Sequence, residues 1–234
     1  MKNLYDEEGL KKSLGQTLRP GGHALVDLMI EKNCLNTNSR LLDLGCGRGA
    51  SLKYLNRRLG IDGTGLDASP ILLQECSEAG LFCVAGNGED LPFETSSFNC
   101  VLSECSLSLM DIPQVIGEVN RVIERNGYWG IADLYAKKPN QLREFDGADI
   151  NTCINKLHDL ELLIQLLLKT GFKIICLEEA SSFLKDLTIQ LIFEYGSMGD
   201  FWSKYMDDGG KCRVDFQTQL KACKPGYFMM VVQK

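Results

Sequence analysis

Histidine is scarce in this chain, with two among 234 residues, and several larger features are missing altogether. No apolar run approaches the ~20 residues needed to span a membrane. Lysine and arginine are scattered and the formal charge of −6 is mild, so the basic footprint of a nucleic-acid binder is lacking. The ten cysteines form no CxxC pairs, and no histidine follows them at zinc-finger spacing, which argues against a structural zinc site. The opening stretch, MKNLYDEEGLKKSLGQ, is charged and lacks the apolar core of a signal peptide. There is no internal repeat and no low-complexity segment. The expectation is a soluble cytoplasmic protein with no membrane or nucleic-acid partner and no metal. The oligomeric state is left open.

What is present fits one α/β domain, long enough to bury about 70% of its unfolded surface. Cys83, Cys100 and Cys176 sit inside apolar patterns and read as small hydrophobes in a reducing compartment. Cys34, Cys46, Cys105, Cys153, Cys212 and Cys223 fall at loops or element ends, where a soft metal or metalloid has access. Short apolar runs alternate with helical stretches, the pattern of a parallel sheet with helices on both faces. Strands are predicted at 40–45, 62–67, 81–86, 97–104, 128–135, 173–179 and 227–233. Helices are predicted over 50–60, from Ser69-Pro70 to about Ala79, from Asp111 to near Arg125, over 158–172 and over 182–196. Ser69 is placed as an N-cap before Pro70, where the missing N–H costs nothing. The polar stretch 136–153 reads as an excursion from one domain.

The stretch LLDLGCGRGA carries the chemistry. Asp43, Gly45, Gly47 and Gly49 lie where a strand turns into a helix, and glycine there permits positive φ and close approach to a ligand. Such a turn can serve a dinucleotide, whose pyrophosphate rests on the helix N-terminus. Here an acid stands just before the first glycine, where it would repel pyrophosphate but attract an ammonium group. Asp67 ends the next strand, where an acid can accept both ribose hydroxyls. The ligand inferred is a ribonucleoside with a cationic, amino-acid-like tail, a description that S-adenosylmethionine fits.

Together LLDLGCGRG, GLDASP, GNGEDLPF and EVNRVIERNGYWGIADLY resemble the class I S-adenosylmethionine-dependent methyltransferases of the small-molecule type 11 kind. The resemblance is strong over residues 38 to 136. It implies a Rossmann-like, mostly parallel seven-stranded sheet flanked by helices, with the last strand antiparallel and a helical insertion before it. On that reading residues 1–37 form an N-terminal helical cover, 38–179 the cofactor-binding core, 180–224 an insertion over the substrate pocket, and 225–234 the last strand. The resemblance implies that Asp43, Leu44, Gly45, Cys46 and Gly47 face the methionine part and that Asp67 and Ala68 face the ribose and adenine. Asn87, Gly88 and Glu89 take the adenine end, and Glu104 meets the cofactor amine. Arg19 reaches the carboxylate, and Tyr5 caps the pocket.

The implied activity is methyl transfer to a small-molecule acceptor by in-line displacement. The alternatives are a thiolate-assisted metalloid methyltransferase and a cofactor-binding regulatory protein without turnover. Candidates for the reacting end are Cys105, Ser106, Tyr135 and His23, with Asp133 on the same rim as Tyr135 and His158 expected at a helix start. The stretch SECSLSLMD (103–111) lacks an evident general base, which favours an acceptor already nucleophilic, or one activated from the 180–224 insertion or by Cys105 itself.

Overall fold

Each apolar run becomes a strand, and the alternation within the runs decides which helices cover which face. The computed structural model describes residues 2–6, 17, 19–142, 150–205 and 211–234. The strands are β1 (Leu41–Leu44), β2 (Thr64–Asp67), β3 (Phe82–Ala85), β4 (Phe98–Glu104), β5 (Ile123–Ala136), β6 (Lys173–Glu179) and β7 (Pro225–Gln233). They form one sheet in the order β3-β2-β1-β4-β5-β7-β6. The strands β1 to β5 pair in parallel, and β7 runs antiparallel to both β5 and β6. The last strand therefore sits inside the sheet and leaves β6 at the edge. A two-residue parallel pairing joins Lys2–Asn3 to Ile150–Asn151.

The helices are α1 (Ala24–Glu31), α2 (Ala50–Leu59), α3 (Pro70–Glu78), α4 (Ile112–Val122), α5 (Leu160–Lys169), α6 (Ser181–Tyr195), α7 (Met198–Tyr205) and α8 (Lys211–Cys223). Successive strand residues point to opposite faces. Leu41, Cys100, Leu102, Met229 and Val231 pack with Leu25 and Met29 of α1 and Leu52 and Leu55 of α2. Leu42, Val101, Phe228, Met230 and Val232 pack with Val115 and Val119 of α4 and Leu163 and Leu167 of α5. Each fully buried leucine or phenylalanine in these layers contributes roughly 1.5–3 kcal/mol. Both faces of β1 are covered, which is why its four residues are all buried and read as an unbroken run rather than as an alternation.

Local signals set the helix ends. Ser69 Oγ accepts from Leu72 N at 3.4 Å with Pro70 just inside α3, and Gly60 closes α2 with φ of 68°. Several boundaries differ from expectation, among them the start of β5, which begins at Ile123 and not at 128. The helix α4 stops at Val122, three residues before Arg125, because Ile123 already pairs with Phe98 and the apolar period runs on unbroken from helix to strand. The helix α5 begins at Leu160, capped by Asp159, which accepts from Glu161 N and Leu162 N. His158 lies before that cap and is buried.

Residues 180–224 hold α6, α7 and α8. Leu191, Phe201, Trp202 and Tyr205 form a small cluster with Leu4, so α6 and α7 pack on the N-terminal segment. The expected N-terminal cover falls partly on residues 7–16 and 18, outside the described residues. The side chain of Cys212 is likewise outside them.

Candidate active site

From β1 the chain moves outward to β2 and β3, then returns to the other side of β1 to lay down β4. The carboxyl ends of β1 and β4 thus part at a switch point, where open α/β sheets hold their ligands. A cavity of about 680 Å³ opens there. Small-molecule sites commonly span roughly 300–1,000 Å³.

The glycine loop forms its floor. Gly45 N and Cys46 N both donate to Leu66 O, at 2.8 and 3.0 Å, which ties the loop to the end of β2. A Cβ on Gly45 would lie 2.4 Å from Ser106 Cβ, so this position has no room for a side chain. Its φ of 77° disfavours one as well. Gly47 also has positive φ, at 54°, but a Cβ there would meet nothing within 4 Å. Glycine at 47 leaves the backbone bare toward the cavity.

Asp67 is held by the loop it faces. Its Oδ2 accepts from Gly47 N at 2.8 Å and its Oδ1 from Ser69 N at 2.9 Å. Both carboxylate oxygens are thus oriented by backbone N–H groups at the end of β2.

Across the floor, Arg19 Nη2 lies 2.9 Å from Glu104 Oε2 and donates to Ser51 Oγ at 2.7 Å. Ser51 Oγ in turn donates to Glu104 Oε2. Burial alone would lower the arginine pKa, but the Glu104 charge, aided by Asp43, raises it. Asp43 sits beneath the loop, 3% exposed. Burial first, and then the Glu104 charge, push its pKa up to about 8 against the opposing pull of Arg19.

The polar residues of SECSLSLMD each find a partner. Ser103 Oγ accepts from the Trp129 indole N–H at 2.9 Å. Ser106 Oγ donates to Leu44 O at 2.7 Å. Ser108 N and Oγ both donate to Asp133, at 3.1 and 3.2 Å. Asp111 caps that helix by accepting from Gln114 N. Cys105 turns the chain with φ of 55°, and its N–H donates to Ala132 O at 2.8 Å. The S–H bond to Cys153, then burial, hold its thiol well above the usual range. The Cys105 and Cys153 sulfurs and Asp133 lie within 4.8 Å of one another, and Tyr5 Oη accepts from Cys153 N at 3.3 Å.

Most of the expected ligand-contacting residues surround the cavity. Gly45, Cys46, Gly47, Asp67 and Ala68 line one side, and Asn87, Gly88 and Glu89 line another. Glu104 and Arg19, paired with each other, line it too, as do Tyr5, Cys105 and Ser106. Asp43 and Leu44 are buried below the wall and do not line it. Two candidates for the reacting end lie elsewhere. The His23 ring stacks on Tyr54 with centroids 4.1 Å apart, and Tyr135 Oη points to Glu179 Oε1 at 3.4 Å. Asp133 is fully buried and also takes Leu134 N at 2.8 Å, with His158 Nε2 3.2 Å from it outside hydrogen-bond alignment.

Sequence reasoning passed over Arg48, although it stands inside the glycine motif. It lines the cavity, Nε pairs with Glu75 at 3.0 Å, and Nη1 donates to Tyr5 O at 2.7 Å. Among the described residues its Nη2 has no hydrogen-bond partner.

Residues 42–131 match a family described as a methyltransferase domain. The chain is 32% identical over 166 residues to the uncharacterized methyltransferase YodH of Bacillus subtilis, covering 66% of this chain and 68% of that protein. It is 38% identical over 104 residues to a probable phthiotriol/phenolphthiotriol dimycocerosates methyltransferase 2 of Mycobacterium ulcerans, covering 42% of this chain but only 40% of that protein. The crystal structure of the [4+2]-cyclase SpnF shares the fold, with a TM-score of 0.77 at 21% identity over 99% of this chain and 94% of that one.

Proposed function

Because the chain belongs to the class I S-adenosylmethionine-dependent methyltransferases, we propose that it transfers a methyl group to a small acceptor that is already nucleophilic. The observation that carries this reading is the set of groups around one cavity: a bare glycine loop, an oriented Asp67 and the Arg19–Glu104 pair. These residues fit S-adenosylmethionine. A zwitterionic amino-acid tail needs a cation and an anion side by side, and Arg19 and Glu104 supply them. Asp67 would accept the ribose hydroxyls. Leu72, Met110 and Gly88 offer an apolar slot beside Asn87, whose side-chain oxygen accepts from an exocyclic amine.

When bound, S-adenosylmethionine supplies a methyl group activated by its sulfonium charge. The chain's own residues hold the partners in line and keep water out. Cys105, Ser106 and Tyr5 line the cavity together with Glu104. None of them is a ready base: Cys105 and Tyr5 are held as neutral acids, and Ser106 is committed to Leu44 O. An acceptor that must first lose a strongly held proton would react slowly here. A thiolate, a stabilised carbanion or another preformed nucleophile would not.

The test is calorimetry with S-adenosylmethionine, followed by an acceptor screen scored by the demethylated cofactor. Binding together with turnover on thiol or carbon acids, and little on alcohols, supports the proposal. Absence of binding overturns it, and so does turnover confined to alcohols.

A further inference from the structure

Three cysteines from three separate elements bring their sulfurs together behind the glycine loop. Cys46 stands between Gly45 and Gly47, Cys76 lies in the last turn of α3, and Cys83 is on β3. All three Sγ atoms lie within 4.8 Å of one another. Cys76 is fully buried, Cys46 is 8% exposed and Cys83 is half-buried, so the cluster has one side toward solvent.

Neighbouring glycines make the space. A Cβ on Gly65 would lie 2.7 Å from Cys46 Sγ and 2.9 Å from Cys83 Sγ. A Cβ on Gly49 would lie 2.9 Å from Cys76 Sγ. Close packing alone is met by any small apolar side chain at these three positions. Three sulfurs converging in one cleared volume form a donor set, and its chemistry is narrow. Thiolates select soft ions and reject the oxygen-seeking ones. With metal–sulfur bonds of about 2.3 Å, the sulfurs of a trigonal site lie about 4 Å apart, inside the observed spread. No imidazole or carboxylate completes a tetrahedral set at this cluster among the described residues.

We propose that Cys46, Cys76 and Cys83 form a three-sulfur site for a thiophilic ion of trigonal preference, of the Cu(I) type, behind the cavity wall to which Cys46 belongs. Each thiol gives its proton to solvent as its sulfur–metal bond forms, and no oxidation state changes. An ion held there would tie the glycine loop, α3 and β3 to one centre.

The probe is Cu(I) alone, added anaerobically to the reduced protein against a chromogenic chelator, with no methyl donor or acceptor present. The readout is independent of whether the cavity binds S-adenosylmethionine. One ion per chain with three sulfur neighbours by X-ray absorption is expected. Cys83→Ser and Cys76→Ser should each weaken binding by about ten-fold or more. Gly65→Ala keeps every thiol but displaces two sulfurs, and should weaken binding too. Cys105→Ser, in the other sulfur pair, should leave the affinity unchanged. Circular dichroism verifies that each variant is folded. Two sulfur neighbours, or equal affinity in wild type and Cys83→Ser, overturns the proposal. So does a loss that follows Cys105 instead.

Discussion

Arg19 and Glu104 form a buried ion pair at 2.9 Å although 85 positions separate them in sequence, and Ser51 bonds to both. The pair joins the segment ahead of α1 to the end of β4. Removing one partner strands the other charge in a buried setting, which costs about 3–5 kcal/mol in comparable pairs. Arg19→Ala is therefore expected to lower the urea midpoint and to weaken binding of the demethylated cofactor several-fold. Glu104→Gln keeps the hydrogen bonds and should destabilise less. Unchanged cofactor affinity in a folded Arg19→Ala protein would remove arginine from the binding site.

The two loop glycines should separate folding from binding. Gly45→Ala places a Cβ 2.4 Å from Ser106 Cβ and is expected to destabilise by several kcal/mol. Gly47→Ala has open space and bears only the strain of its φ, about 1 kcal/mol. Its methyl would enter the cavity, so cofactor affinity should fall while the thermal midpoint moves by a few degrees. Equal behaviour of the two variants would contradict the geometry.

Cys105 is the sharpest question at the reacting end. Its thiol is held neutral and bonded to Cys153, so Cys105→Ala should leave turnover on a preformed nucleophile within about two-fold, since it supplies no base. A large loss of kcat with the fold intact would make the thiol a participant.

Ser103 gives a prediction about stability alone. Ser103→Ala leaves the fully buried Trp129 N–H without its acceptor, at a cost of about 1–3 kcal/mol. Denaturant unfolding measures it, and a change under 0.5 kcal/mol, roughly the scatter of neutral surface substitutions, would argue against the bond.

Asp43 sets a pH dependence. Its pKa rises from 3.8 to about 8 on folding of the ligand-free protein. Between those values the folded chain keeps a proton that the unfolded chain has lost. Its contribution is complete at low pH and is lost as pH rises through about 8, at no more than about 1.4 kcal/mol per pH unit. Asp43→Asn should flatten that part of the stability profile between pH 5 and 8. Parallel profiles for the two proteins would sink this assignment.

Much of the frame was legible because its signals are local. Ser69-Pro70 starts α3, Gly60 ends α2, and the order D-x-G-x-G-x-G marks the strand-to-helix turn that floors the cavity. What escaped is decided between distant strands. Ser108 reads as a helix-start residue until β5 brings Asp133 beside it, 25 positions away. Asp133 and Tyr135 share a rim in sequence, yet one is sealed in the core and the other turns toward Glu179. Cys83 looks like a small hydrophobe in LFCVA, and nothing local announces that Cys46 and Cys76 arrive next to it. The N-terminal arm was the hardest to read, since Arg19 takes its meaning from Glu104.

The position of β7 also governs the timing of assembly. Among the described residues, the edge strand β6 pairs with β7 alone. As the chain leaves the ribosome, β6 emerges with no neighbour to dock against and must wait while 180–224 is made. The parallel half from β1 to β5, which carries the glycine loop, has its partners in hand by Ala136. Two strand edges, on β5 and β6, thus stay unpaired until one late segment slides between them. Nascent chains stalled just short of Pro225 are expected to aggregate more readily than chains that include β7.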